Sequence, residues 1–158
     1  MFLPQQSTSI CYRVWRYALG GLLLTLATAI SAGNPPVLQL SAAEAFERAQ
    51  QGELTIIDIR QPQEWRQTGV AQGAQRVSMY HPEGGQGLVR DMLRAAGGQT
   101  DAPIALICRT GNRSSQLQQA MLDYGFTQVH NVAEGMVGST AGPGWLGRGL
   151  PVEPCPRC

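Results

Sequence analysis

The chain contains no lysine: its 12 basic side chains are all arginine, set against 11 acids. A formal net charge of +1 and the lack of a basic stripe give no reason to invoke nucleic acid as a partner. The two histidines, His81 and His130, lack ligand-spaced partners, so no metal site is assigned. No apolar run reaches the about 20 residues that a membrane-spanning helix requires. No internal repeat or low-complexity block is present, which excludes a repeat array. What is present is ordinary for a folded domain. Apolar residues make up 43% of the chain and charged residues 15%, so a core can form and the chain is not a disordered one. A length of 158 residues argues for one domain.

The N-terminal segment differs from the rest. Arg13 and Arg16 precede "YALGGLLLTLATAISA", 16 uncharged residues from Tyr17 to Ala32. That length suits a signal-peptide core, and the small residues at its end suit cleavage, with Ala32 the favoured site over Ala29 and Ser31. The alternative is an uncleaved anchor helix. Either reading carries the domain across a membrane, to a periplasmic or secreted location or to an inner-membrane anchor facing the periplasm. No lipobox precedes Cys11. Residues 1–32 are therefore set apart from the fold, and "GNPPV" at 33–37 reads as a linker.

Beyond it, strand and helix signals alternate. "LQL" at 38–40 is a short strand. Ser41 and Glu44 form a capping box for a helix that Gly52 ends. "LTIIDI" at 54–59 and "PIALIC" at 103–108 are near-continuous apolar runs, the signature of buried parallel strands. Pro62 opens a short helix through Arg66 and Gln67, and "AQRVS" at 74–78 is a further strand. "LVRDMLRAAGG" at 88–98 places Val89, Met92, Leu93 and Ala96 on one helical face. "SSQLQQAMLDYG" at 114–125 does the same with Leu117, Ala120, Met121 and Tyr124. "TQVHNV" at 127–132 is the last strand, and the Gly- and Pro-rich tail reads as irregular. The fold class is α/β, with a central, mostly parallel sheet of about five strands and helices on both faces. In such sheets functional residues gather at the carboxyl ends of strands, where Asp58 and Cys108 lie.

Cys108 stands between a strand and a helix start, in "ALICRTGNRSSQ". Loop N–H groups and the helix dipole there favour a thiolate, and Arg109 and Arg113 add positive charge. Gly111 permits the positive φ of a tight loop, and Asn112 tolerates it. A thiolate in such a cradle is a nucleophile, and the same cradle holds an anion. The alternative is a buried structural cysteine. Phosphatase chemistry needs Cys-x5-Arg, but that position is Ser114. Arg113 closes a loop one residue tighter, which suits the smaller load of one added sulfur.

Four segments carry a resemblance. "IIDIRQPQEW" at 56–65, "GVAQGA" at 69–74, "ICRTGNRS" at 107–114, and "VHNVAEGM" followed by "GWLGRGLPVEP" resemble, in order, the segments of a single-domain rhodanese, in its exported bacterial variant. The resemblance covers 38–153 and implies the rhodanese-like fold. It also implies a sulfurtransferase, an enzyme that passes a sulfane sulfur from thiosulfate or a similar donor to a thiol or cyanide through a Cys108 persulfide. In that reading the backbone N–H groups of Arg109, Thr110, Gly111, Asn112 and Arg113 hold the charge, and no cofactor is needed. The membrane is a partner only through an uncleaved N-terminal segment. A non-enzymatic sulfur-carrier or partner-binding module is the alternative, and a phosphatase or arsenate reductase fits less well. Two departures stand out. Val70 and Gln72 replace the family's His and Pro, and "VGSTAGPG" before Trp145 is longer than usual.

Other residues carry readings of their own. Asp58 orients the site or forms a structural ion pair or turn cap. Arg60 supports the site, or pairs with Glu64 at i,i+4. Arg109 meets an anionic donor or is a solvated loop charge. Trp65 and Trp145 are packing residues. Cys155 and Cys158, in the "CPRC" that closes the tail at 154–158, form a local disulfide, a redox pair that resolves the persulfide, half a zinc site, or nothing particular.

Overall fold

A computed structural model describes residues 38–158. The signal segment expected at 1–32 and the linker at 33–37 lie outside the described residues. The first half runs β1 (Leu38–Leu40), α1 (Ala42–Gln50), β2 (Thr55–Asp58), α2 (Pro62–Thr68), β3 (Val70–Ala71) and β4 (Gln75–Arg76). The second half runs α3 (Gly84–Ala95), β5 (Ile104–Ile107), α4 (Asn112–Asp123), β6 (Val129–Val132), α5 (Gly144–Gly147) and β7 (Val152–Glu153).

Five strands form one sheet in the order β1-β6-β5-β2-β4, and every neighbouring pair is parallel. The expected α/β architecture is therefore present. Side-chain alternation explains why the central strands read as unbroken apolar runs. Ile57, Ile104 and Leu106 face one layer with Leu88 and Met92 of α3 and Leu117 and Met121 of α4. Ile56, Ala105 and Ile107 face the other with Ala42 and Ala45 of α1 and Trp145 of α5. Burying each such isoleucine contributes about 1.5–3 kcal/mol, so both helical layers are held by the sheet's own composition.

The capping box at Ser41 and Glu44 is present on both sides, and α2 starts at Pro62 as its sequence requires. Other expectations need correction. The helix expected from Leu88 begins at Gly84, and its buried stripe runs through Leu88, Met92 and Ala96, with Val89 and Leu93 only partly buried. The helix expected from Ser114 begins at Asn112, directly after a left-handed Gly111. Its inner face is Ser114, Leu117, Gln118 and Met121, so Ala120 and Tyr124 are exposed. Gln118 takes a core position because its amide donates to the carbonyls of Leu38 and Val129, at 2.9 and 2.7 Å, joining α4 to β1 and β6. The tail is not wholly irregular. It forms α5, then β7, which pairs antiparallel with β3. Trp145 anchors it, edge-on to Phe46 at 5.6 Å and donating from Nε1 to the Pro151 carbonyl at 2.9 Å. No described helix is long and apolar enough to cross a membrane.

The connections place the site. From β2 the chain moves outward to β4, whereas from β5 it moves the opposite way to β6. The carboxyl ends of β2 and β5 are thus adjacent ends of strands whose connections diverge, the position at which open α/β sheets bind ligands.

Candidate active site

Cys108 follows β5 directly and is 1% exposed. Its Sγ accepts from the Gly111 N–H at 3.2 Å and lies 3.3 Å from the Ser114 hydroxyl. That hydroxyl is also 3.0 Å from the Gly111 carbonyl. It has one proton, so it donates to the sulfur or to the carbonyl, not to both. The loop N–H groups of Arg109, Thr110, Asn112 and Arg113 have no acceptor among the described residues. The result is a ring of donors at a helix start, the arrangement that holds an anion.

The loop owes its shape to Gly111 and to the turn after β6. Gly111 has φ 87°, and a Cβ there would meet the Ala133 carbonyl oxygen at 2.1 Å. From the same turn, the Met136 and Val137 N–H groups donate to the Cys108 and Arg109 carbonyls at 2.9 and 3.0 Å. A Cβ on Gly135, φ 65°, would meet the Arg109 carbonyl oxygen at 2.5 Å, so both sides of the contact require glycine. Glu134, beneath this turn, accepts from the Gly144 N–H and from Arg148. The long "VGSTAGPG" stretch folds back on that support: Ser139 donates from its hydroxyl to the Ala133 carbonyl at 3.0 Å.

Arg113 does not direct its guanidinium at the sulfur. It makes a bidentate pair with Glu64, at 2.8 and 2.6 Å, so its charge acts on Cys108 through space and not by a hydrogen bond. The Arg113 hydrogen bonds hold the Glu64 carboxyl below its ordinary value, and the same bonds raise Arg113. Glu64 also accepts from the Gln61 N–H at 3.0 Å, capping α2. One carboxylate therefore fixes a helix start and the end of the cysteine loop together.

Nor does Arg60 pair with the Glu64 side chain. It is buried beside Asp58, donating from Nε and Nη2 to the carboxylate at 2.9 and 2.7 Å, and to the Gly69 carbonyl at 2.7 Å. Asp58 thus has the structural reading, an ion pair within a turn. Arg109 is exposed, and among the described residues its guanidinium has no carboxylate partner. It borders an open cleft of about 480 Å³ with Gln61, Gln63, Gln67, Tyr80 and Thr110.

The rhodanese-like domain family matches residues 41–141. The chain belongs to that family. An uncharacterized protein of Rickettsia prowazekii is 24% identical to it over 98 residues, 61% of this chain and 80% of its own. Among solved structures, the polysulfide-sulfur transferase of Wolinella succinogenes aligns with a TM-score of 0.57 at 24% identity, over 74% of this chain and 78% of that one. A thiosulfate sulfurtransferase of Pseudomonas aeruginosa aligns with a TM-score of 0.58 at 23% identity, over 74% of this chain and 20% of that one. At these identities the structural likeness is one of fold.

Three members of this rhodanese-like site escaped sequence reasoning. In sequence Ser114 marks only the absence of a phosphatase arginine, yet its hydroxyl lies 3.3 Å from the sulfur. Glu64 pairs 49 positions along the chain instead of with its helical neighbour. The Ala133–Met136 turn supports the loop through its backbone, which leaves little trace in side-chain type. Elsewhere, Cys155 and Cys158 form a disulfide. His130 is buried in β6, where burial and then the charge of Arg48 push its pKa down. His81 holds the entry to α3, accepting from the Glu83 N–H and meeting Asp91 at 3.1 Å. Among the described residues no three His, Cys, Asp or Glu side chains are grouped to hold a metal.

Proposed function

We propose that this rhodanese-like protein is a sulfurtransferase in which Cys108 carries the sulfur. The supporting observation is the donor ring: one N–H already on Sγ, and four neighbours without acceptors among the described residues. A Cys108 thiolate attacks the outer sulfur of thiosulfate, the S–S bond breaks, and sulfite leaves with the electron pair. The persulfide then bears its negative charge inside the ring. Cyanide, or a thiolate, attacks the terminal sulfur, and the Cys108 thiolate departs as leaving group. Two half-reactions sharing one covalent intermediate give ping-pong kinetics. Arg109 meets the anionic donor at the cleft. Loss of the phosphatase arginine, with Arg113 held on Glu64, leaves no guanidinium from that position over a tetrahedral anion.

The test is intact mass after incubation with thiosulfate. A gain of about 32 Da, removed by cyanide and absent in Cys108→Ser, is the result expected of a covalent sulfur intermediate. No gain in the reduced protein would leave a binding module as the better reading. The same proposal takes the domain to be exported, with cleavage after Ala32. N-terminal sequencing of the exported protein should then begin at Gly33, and a retained segment would indicate the anchor instead.

A further inference from the structure

We infer that the Cys155–Cys158 pair is a second reactive site, a thiol–disulfide exchange site distinct from Cys108. Its geometry differs from that of a structural staple. The disulfide closes a ring of four residues around a turn in which the Cys158 N–H donates to the Cys155 carbonyl at 3.3 Å. A ring that short constrains little of the unfolded chain. Both cysteines are partly exposed, and Cys155 borders an open groove of about 440 Å³ with Val70, Ala74, Gln75, Arg76 and Glu153. An attacking thiol has room to approach.

The deciding contact is Arg76. Its Nη1 donates to the Cys155 Sγ at 2.8 Å and to the Cys158 Sγ at 2.7 Å. A Cys-x-x-Cys motif at a helix start gains its leaving-group thiolate from the helix N-terminus. Residues 155–158 form a turn and not a helix, and here a full positive charge from β4 takes the place of a helix N-terminus. A stabilised thiolate leaves faster and favours the reduced pair.

The sheet separates this site from the sulfur site. Arg76 and Ile107 are both in register with Asp58, so their side chains share one face. Cys108, one residue on, belongs to the opposite layer with Leu117 and Met121. The pair is therefore not placed to resolve a sulfur on Cys108, and its co-reactant is an external thiol or dithiol. The step balances. A thiolate attacks one sulfur, the other cysteine leaves as thiolate, and a second thiol resolves the mixed disulfide. The pair gains two electrons, and the donor becomes a disulfide.

The test uses the full chain with Cys108→Ser, which removes sulfur-transfer chemistry from the readout. Alkylation and mass follow the pair in glutathione redox buffers and during reduction by thioredoxin. The expected result is reversible reduction. Arg76→Ala should slow it several-fold and shift the equilibrium toward the disulfide by about tenfold, or ~30 mV. Arg76→Lys should restore part of both. Thioredoxin far outpacing glutathione at equal thiol concentration marks a protein dithiol as co-reactant, and equal rates mark small thiols. A pair resistant to both reductants overturns the inference. So does an Arg76→Ala protein that is unchanged in rate and equilibrium.

Discussion

Replacing Gly111 with alanine places a methyl group where backbone already lies, and two penalties combine. The left-handed conformation at φ 87° costs an L-residue about 1–2 kcal/mol. The new Cβ would also stand 2.1 Å from the Ala133 carbonyl oxygen. An ordinary carbon–oxygen contact is about 3.3–3.6 Å, so the loop or the turn must move by more than ~1 Å. Neither is free to do so, because Met136 and Val137 bond both of its sides to Cys108 and Arg109. Overpacking of this kind costs about 1–3 kcal/mol, giving about 2–5 kcal/mol in total. Gly52→Ala is the control: φ is 74°, but nothing lies within 4 Å of the added carbon. It should lose the about 1–2 kcal/mol of backbone strain alone. Urea unfolding at constant m separates the two variants. Sulfur transfer by the folded fraction of Gly111→Ala should fall by about 100-fold, the penalty for an ångström of misplacement at a nucleophile. Equal stability losses in the two variants would refute the steric argument. Wild-type turnover in Gly111→Ala would refute the claim that this loop geometry carries the chemistry.

Asp58→Asn leaves the Arg60 guanidinium, 1% exposed, without its counter-charge and should cost about 3–5 kcal/mol. Adding Arg60→Met should recover much of that loss in a double-mutant cycle, and a single-mutant loss under about 1 kcal/mol would contradict the buried-pair reading. Glu64→Gln should cost about 1–3 kcal/mol at neutral pH through loss of the charged bonds to Arg113. Because folding lowers the Glu64 pKa, its contribution is complete above the ordinary carboxylate range and disappears as pH falls through the folded value. Stability curves of wild type and Glu64→Gln should therefore converge in acid, and parallel curves would sink the assignment.

Legibility followed the range of the interaction. The two apolar runs at 54–59 and 103–108 needed only local sequence to be read as central strands, because burial on both faces removes polar residues from a strand. Ser41 and Glu44 were legible for the same reason, being three residues apart on one helix start. The helical faces were less so. Tyr124 reads as apolar but is 64% exposed, whereas Gln118 reads as polar and is buried. What decides them is the carbonyls of Leu38 and Val129, supplied by distant strands. The site divides in the same way. Cys108 and its six-residue loop are contiguous and legible; Arg60 pairs two positions back with Asp58 and not with Glu64, and the partner of Arg113 lies 49 positions away. For Arg113 the nearest acid in sequence was not the acid in space.

That choice of partners determines the electrostatics of the site. Arg60 is bound to Asp58 and Arg113 to Glu64, so each charge is matched by a carboxylate before any substrate arrives. Those pairs shape the site: Arg60 ties the turn after β2 to the end of α2 through Gly69, and Arg113 ties the start of α4 to α2. Attraction for an anion then rests on the groups left over among the described residues, the loop N–H donors without acceptors and Arg109. The donors are short-range and fixed by the backbone, so they act on charge already seated in the loop. Arg109 is exposed at the cleft and long enough to act before that. Under the proposed sulfur transfer, binding a donor and holding the sulfur it delivers thus fall to different atoms. On that proposal a substitution at Arg109 should change entry of the donor, while one at Gly111 should change the sulfur-holding step.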